Sequence, residues 1–296
     1  MNVMTKSTRF AATGAAVALG AAALVGVTTT TANAVPVTNT YTCSNAGLGL
    51  GPWDVTLDSD APGIEGFPQV PAGFDAPGGL LTVTNQFTIP AEAYGTLVGA
   101  GVEDISFPDF AGTFGDEPIG IAGMAVTVSG MTDNGDGTYS SDPAEGSGLN
   151  QAFSAPAAGT YDVLSPAGFV MSATLGESQV PVTCTVTEGP GAYTSILVVK
   201  NASTTTGTPV KRTLKTNKVS KMKVAVAADN ETPGGKVIVK EGAKKLGSAM
   251  LNDAGKATVK MGKLKKGKHT VTVVYKGNGY TMASKSDKIV FKVTRP

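Results

Sequence analysis

The densest run of like-charged side chains is Lys263-Leu264-Lys265-Lys266-Gly267-Lys268, and Lys244 and Lys245 lie upstream of it. Ammonium groups gathered this closely can attract a polyanion through their summed field. An anionic envelope polymer, a phospholipid surface and nucleic acid all carry the right charge. The alternative use of such a run is a solvated face of a stable domain. All but two of the basic residues after Val199 are lysine. Bidentate reading of base edges prefers arginine, and aromatic stacking platforms are absent beside the lysines. Binding through Lys244, Lys245, Lys263, Lys265, Lys266 and Lys268 is therefore expected to be non-specific and salt-sensitive, with no specific nucleic acid partner.

Other chemistry-bearing residues are sparse. Asp133-Asn134-Gly135-Asp136-Gly137-Thr138-Tyr139 has the oxygens of a calcium loop, but Gly135 breaks the every-second-residue spacing that a calcium-binding helix–loop–helix needs. The same string is a good hairpin turn. Gly242-Ala243-Lys244-Lys245-Leu246-Gly247-Ser248 has phosphate-loop-like glycines, lacks the lysine directly before the serine, and lies between strands. His269 is the single histidine, and no G-x-S-x-G string accompanies it, so a serine triad has little to build on. No metal site and no cofactor are implied. Cys43 and Cys184 are the two cysteines; in an oxidising compartment they are expected to pair. Closing that loop is worth on the order of 4–5 kcal/mol in the chain-entropy model.

These residues must be positioned by strands. Apolar side chains recur at every second place in Lys256–Met261, in His269–Tyr275, in Ile289–Val293 and in Met222–Val226. A period of two over many short runs means half-buried antiparallel strands. Gly- and Asn-rich turns separate them, at Glu241-Gly242, Asn252-Asp253-Ala254-Gly255, Lys266-Gly267 and Gly277-Asn278-Gly279. About seven such strands in this stretch predict a two-sheet sandwich. Upstream, Leu81, Val83, Phe87 and Ile89 alternate with polar residues, broken only at Asn85. Further strands are expected over Ile121–Val128, Phe169–Leu175 and Val180–Val186, with Pro181 placing the last at an edge or strand start. Pro90–Leu97 is expected to form a helical turn.

The order G-x-V-x-V, L-G, G-x-A-T-V, L-x-x-G-x-H-T-V-T-V-x-Y-x-G resembles the bacterial Ig-like domain repeats (group 3) of secreted and surface proteins. Val237, Val239, Leu246, Gly247, Gly255, Val259, Leu264, Gly267, His269, Val271, Val273, Tyr275, Gly277 and Tyr280 carry it, over Thr208–Pro296. The family usually has an acidic residue after the glycine of Y-x-G; here it is Asn278, and the next tyrosine comes one residue early. The resemblance implies a role in spacing, presentation or adhesion, and brings no catalytic residues. The preceding region, which begins Tyr41-Thr42-Cys43 and ends Val182-Thr183-Cys184, loosely resembles secreted actinobacterial domains, with no activity implied.

Charge divides the chain sharply. Val35–Val199 holds eighteen Asp/Glu and no Lys or Arg, whereas Lys200–Pro296 holds twenty-two Lys/Arg and five Asp/Glu, giving formal charges of −18 and +17. Lys6 and Arg9, an apolar run to Val27 and Ala32-Asn33-Ala34 read as a signal peptide over residues 1–34. The expected organisation is an acidic all-β domain over 35–200, disulfide-closed and sandwich-like. A polar linker over 201–207 and a basic Ig-like β-sandwich over 208–296 follow. A flexible linker of that length spans about 15 Å, against a screening length of about 8 Å at physiological salt. The resulting functional expectation is a secreted, non-enzymatic structural or binding protein of the cell envelope or extracellular space, adhering to anionic surface polymers and having no transmembrane segment once the signal is cleaved. The alternatives are a secreted hydrolase using N-terminal carboxylates and a protein that self-associates through its opposite charges.

Overall fold

The structure, a computed structural model, describes residues 36–45, 50–67 and 69–296. The expected signal peptide, 1–34, lies outside the described residues. The described chain is all-β apart from the helix Ala91–Ala100 and short 3-10 turns. Among the described residues no helix is long and apolar enough to cross a membrane. Residues 36–296 carry two separate hydrophobic cores, within one compact unit.

The acidic domain wraps one long strand order around its core. From one edge, the strands Gln69–Pro71, Ala192–Val199, Gly159–Leu164, Ala111–Phe114, Glu117–Ala122 and Gly148–Asn150 lead to Thr82–Pro90. From there Leu50–Asp60, Val37–Asn45, Ser178–Val186, Gly168–Leu175, Asp104–Ser106 and Ala125–Thr127 follow. Thr82–Pro90 is the corner. Its first residues pair with Gly148 and Leu149, and its later ones pair with Thr56–Asp60. Both halves place alternate residues in one core. Phe87 stacks on Phe107 at 4.3 Å, and Phe169 packs against Tyr41 and Phe110.

Asn85, the break in the alternation, points inward and is fully buried. Its Oδ1 accepts from Ser59 Oγ at 2.6 Å, and its Nδ2 donates to Gly146 O at 3.1 Å. Ser59 Oγ also meets Tyr193 Oη at 2.5 Å. A buried amide is tolerated only when partnered in this way. Gly146 must be glycine here, because a Cβ would lie 2.0 Å from Asn85 O.

Cys43 and Cys184 form the disulfide, directly opposite one another on adjacent antiparallel strands. Cys184 sits on the next-to-last strand of the domain; Ala192–Val199 is the last. Pro181 is on an interior strand rather than an edge. It remains free of a ladder donor because pairing with Val37–Asn45 begins only at Thr183, while the other side pairs at Ser172. The helix is longer than the turn expected from sequence. Pro90 caps it, and Tyr94 stacks at 3.9 Å on Tyr139 of the following hairpin.

The C-terminal domain is an Ig-like sandwich. One sheet runs Ser203–Pro209, Ser220–Ala228, Lys256–Gly262; the other runs Thr213–Lys215, Ile289–Thr294, Gly267–Tyr275, Lys236–Glu241, Lys244–Met250. Thr213–Lys215 leaves the first sheet and pairs in parallel with Lys292–Thr294 of the second. The parity read from sequence holds: Met222, Val224, Val226, Val259, Met261, Val271, Val273, Tyr275, Phe291 and Val293 are all in the core. Gly247 admits the backbone of the neighbouring strand, since a Cβ would meet Lys260 O at 2.3 Å.

The stretch 201–207 is no flexible linker. Ser203–Pro209 pairs residue for residue with Met222–Ala228, and Asn201 is buried. An outer strand exposes alternate side chains to water, so its threonines made it look polar. Only Lys200–Ala202 separates it from the last strand of the acidic domain.

Candidate functional site

The two ends of the Ig-like sandwich face different surroundings. At the end next to the acidic domain lie the segments 229–235 and 276–283. Tyr280 reaches across to pack against the acidic domain's core, and Ala158 N donates to Gly279 O at 3.0 Å. Asn201 ties the junction. Its Nδ2 donates to Ala72 O at 2.6 Å and to Tyr280 O at 3.2 Å, and its Oδ1 accepts from Asn230 Nδ2 at 2.8 Å. Asn278 stands where the family usually has an acid. Its Oδ1 accepts from Tyr280 N, Thr281 N and Thr281 Oγ1 at 2.7–2.9 Å. The amide thus sets the turn that delivers Tyr280 to its neighbour domain.

The opposite end gathers the chain's positive charge. Strand direction brings 209–221, 240–245, 260–268 and 292–295 to this tip. Together they hold fifteen Lys/Arg and one carboxylate, Glu241. Lys244 pairs with Glu241 across the hairpin and Lys245 with Lys240, while Lys268 lies opposite Lys292. Lys263, Lys265 and Lys266 occupy the loop that follows Lys256–Gly262. All six lysines singled out from sequence are exposed.

His269 links two parts of the tip. Its ring stacks on Phe291 at 5.5 Å. Nε2–H donates to Lys265 O at 2.8 Å, and Nδ1 meets Glu241 Oε1 at 2.9 Å. The histidine therefore holds the lysine loop beside the hairpin that carries Lys244. Among the described residues no Lys or Arg lies within 4.0 Å of a carboxylate, and this histidine contact occupies the tip's single acid. The lysines are left facing solvent, where each charge is screened beyond about 8 Å at physiological salt. Such a surface acts by summation over many sites.

The acidic domain offers carboxylates of a different kind. In the Asp133–Tyr139 turn, Asp133 Oδ1 accepts from Gly135 N at 2.8 Å. Asp136 Oδ1 accepts from Thr138 N and Oγ1 at 3.0 and 2.6 Å. The Thr138 hydroxyl bond holds the exposed Asp136 carboxyl below its usual range. These oxygens shape their own hairpin. Among the described residues no group of three or more His, Cys, Asp or Glu is placed to hold a metal. Three core cavities of about 30 Å³ each have no carboxylate in their linings. Burial pushes the Tyr193 hydroxyl up to about 12, partly offset by its bond to Ser59, and raises Tyr41 further. Tyr41 Oη donates to Pro166 O at 2.7 Å.

Residues 197–294 match the family model for the bacterial Ig-like domain (group 3). No curated protein matches the chain. Among solved structures, a protein from Corynebacterium diphtheriae whose name describes it as membrane anchored is 13% identical; the alignment covers 88% of this chain and 59% of that one, with a TM-score of 0.34. The chain thus spans under two thirds of that protein's length. Fibronectin(III)-like modules of Clostridium thermocellum CbhA are 15% identical, covering 80% of this chain and 93% of theirs, TM-score 0.27. The Yersinia pseudotuberculosis adhesin InvE is 11% identical, covering 73% and 57%, TM-score 0.25.

Proposed function

We propose that this is an exported, non-enzymatic binding protein of the cell envelope or extracellular space, whose Ig-like domain holds it to anionic surface polymer through the lysine tip. The observation that carries this reading is the placement of charge. The tip collects fifteen cations around one carboxylate that His269 already engages, at the end of the sandwich away from the acidic domain. The junction uses neutral amides and a tyrosine, so the cations are not consumed in holding the two domains together. A bacterial Ig-like module fits a presenting or adhesive role, and the amino-terminal signal read from sequence fits export.

The test is co-sedimentation of the chain from Val35 onward with purified bacterial envelopes, from about 50 mM to about 500 mM salt. Retention at low salt, release at high salt and loss in the triple variant Lys263→Glu, Lys265→Glu, Lys266→Glu are expected. Retention unaffected by salt and by charge reversal would refute the lysine tip as the anchor.

The same polarity favours a second reading. A molecule acidic at one end and basic at the other can associate head to tail, an open arrangement that need not close. Light scattering that gives one unchanged monomer size across that salt range would exclude it.

A further inference from the structure

The tip also contains a cleft of about 360 Å³ between the end of Ser203–Pro209, the start of Ser220–Ala228 and the strand Thr213–Lys215. It arises because the chain changes sheets at Val210–Arg212, leaving a gap beside Ser220. Its apolar wall includes Leu214, Val219 and Phe291, and Lys211, Lys218 and Lys221 line the rest. Ser220 also lines it and is only 3% exposed.

Ser220 is out of place. By parity it belongs to the inward series Met222, Val224, Val226, all apolar and buried. The register slips between Ser220 and Lys221, with the extra residue, Met261, on the neighbouring strand, so Ser220 keeps its inward parity. Its Oγ is the one buried side-chain polar atom among the described residues without a hydrogen-bond partner. A buried hydroxyl left unpaired is costly, at roughly 1–3 kcal/mol. A buried, unpartnered hydroxyl on the wall of a cleft lined by apolar side chains and lysines is the pattern of a small-ligand site.

We infer that this cleft binds an amphiphilic anion, an apolar chain bearing a phosphate or carboxylate. The chain would lie on Leu214, Val219 and Phe291, Ser220 Oγ–H would donate to the head, and the three lysines would surround it. The lysine stems add apolar cover beside their charged ends. This goes beyond polymer retention, which rests on the summed charge of the exposed tip and requires no cleft.

The test titrates the chain from Val35 onward with dodecyl phosphate, below its micelle concentration, by calorimetry and backbone NMR. Inorganic phosphate and dodecyl maltoside serve as controls. Dodecyl phosphate is expected to shift Leu214, Val219, Ser220 and Phe291. Ser220→Ala should weaken it about fivefold, the equivalent of one hydrogen bond, and Lys218→Glu by at least as much. The triple variant at Lys263, Lys265 and Lys266 should weaken it less than Lys218→Glu does, because those lysines lie outside the cleft's lining and act on it only through the field of the tip. Equal binding of inorganic phosphate would reduce the site to charge, and equal binding of dodecyl maltoside would reduce it to apolar contact; either overturns the proposal. So does indifference to both cleft substitutions. Phosphatidylglycerol vesicles separate the sources. Binding weakened by Ser220→Ala makes a bilayer lipid the ligand. Vesicle binding that ignores Ser220, alongside dodecyl phosphate binding that depends on it, makes the ligand a free amphiphile.

Discussion

At the junction end of the Ig-like sandwich, Asn201 places both amide hydrogens on carbonyls and its oxygen on Asn230. At the tip, fifteen cations surround one carboxylate, and a buried serine hydroxyl has no partner. The clamp at the first end, Asn201, is neutral, buried and fully hydrogen-bonded; the second end is charged, exposed and incompletely satisfied. Loops joining the same two sheets have been put to opposite uses. Neutral amides fix a geometry, because their bonds are short, directional and insensitive to salt. Surface charges fix little, since an exposed pair is worth about 0–1 kcal/mol, but they act at a distance.

The largest expected effect lies behind the junction, in the domain it rests on. Reducing the Cys43–Cys184 disulfide opens a loop with a sequence separation of 141, worth about 5 kcal/mol in the chain-entropy model. Denaturant unfolding under reducing conditions should move the acidic domain's transition strongly, with the Ig-like domain's transition following only through the junction. An unmoved acidic transition would mean the long strand order carries the domain without its cross-link.

Alkaline pH tests the same base more gently. Tyr193 is buried and neutral, and burial raises its hydroxyl from an ordinary value of 10.0 to about 12. In the unfolded chain it ionises at about 10. Its contribution is therefore complete below about pH 10 and is lost as pH rises toward 12. That difference between the folded and unfolded chain corresponds to about 2–3 kcal/mol. Tyrosinate absorbance should show late-titrating groups, of which Tyr193→Phe removes one and leaves Tyr41. A full normal titration in the folded protein would contradict the buried Ser59–Asn85–Tyr193 network.

At the junction itself, Asn201→Ala leaves the Ala72 carbonyl and the Asn230 amide without their partner. The expected cost is about 2 kcal/mol, and calorimetry should resolve the two domains as separate transitions. A change under about 0.5 kcal/mol, as at ordinary surface sites, would reduce the junction to incidental contact.

The legibility of the two ends differed for the same physical reason. Strand parity located the core of the Ig-like domain, because a half-buried strand must alternate. The lysine cluster was visible because its members are close in sequence and its loops meet at one end of any such sandwich. The junction was not visible. Asn201 and the threonines after it have the composition of a linker, and only tertiary contact turns them into a buried clamp and a strand. Asn278 was visible as a departure from the family pattern, but its effect needs Tyr280 to find the other domain. Ser220 could have been found by extending the inward series Met222, Val224, Val226 one step back, where a hydroxyl interrupts it. The missing partner of that hydroxyl is a fact of three dimensions.

The smallest stability effect should come from the tip, and this makes it the most discriminating. Lys263, Lys265 and Lys266 are exposed and without an acidic partner within 4.0 Å among the described residues. Reversing all three to Glu removes repulsion as well as charge, so the unfolding free energy should change by less than about 0.5 kcal/mol in total. Envelope retention should nevertheless fall steeply and lose much of its salt dependence, because the summed field has been reversed at the densest point. Stability and binding then separate at the tip, whereas Asn201→Ala should affect stability and leave retention by the tip in place. A triple variant that unfolds easily, or an Asn201 variant that loses retention, would show that the two ends are one coupled device.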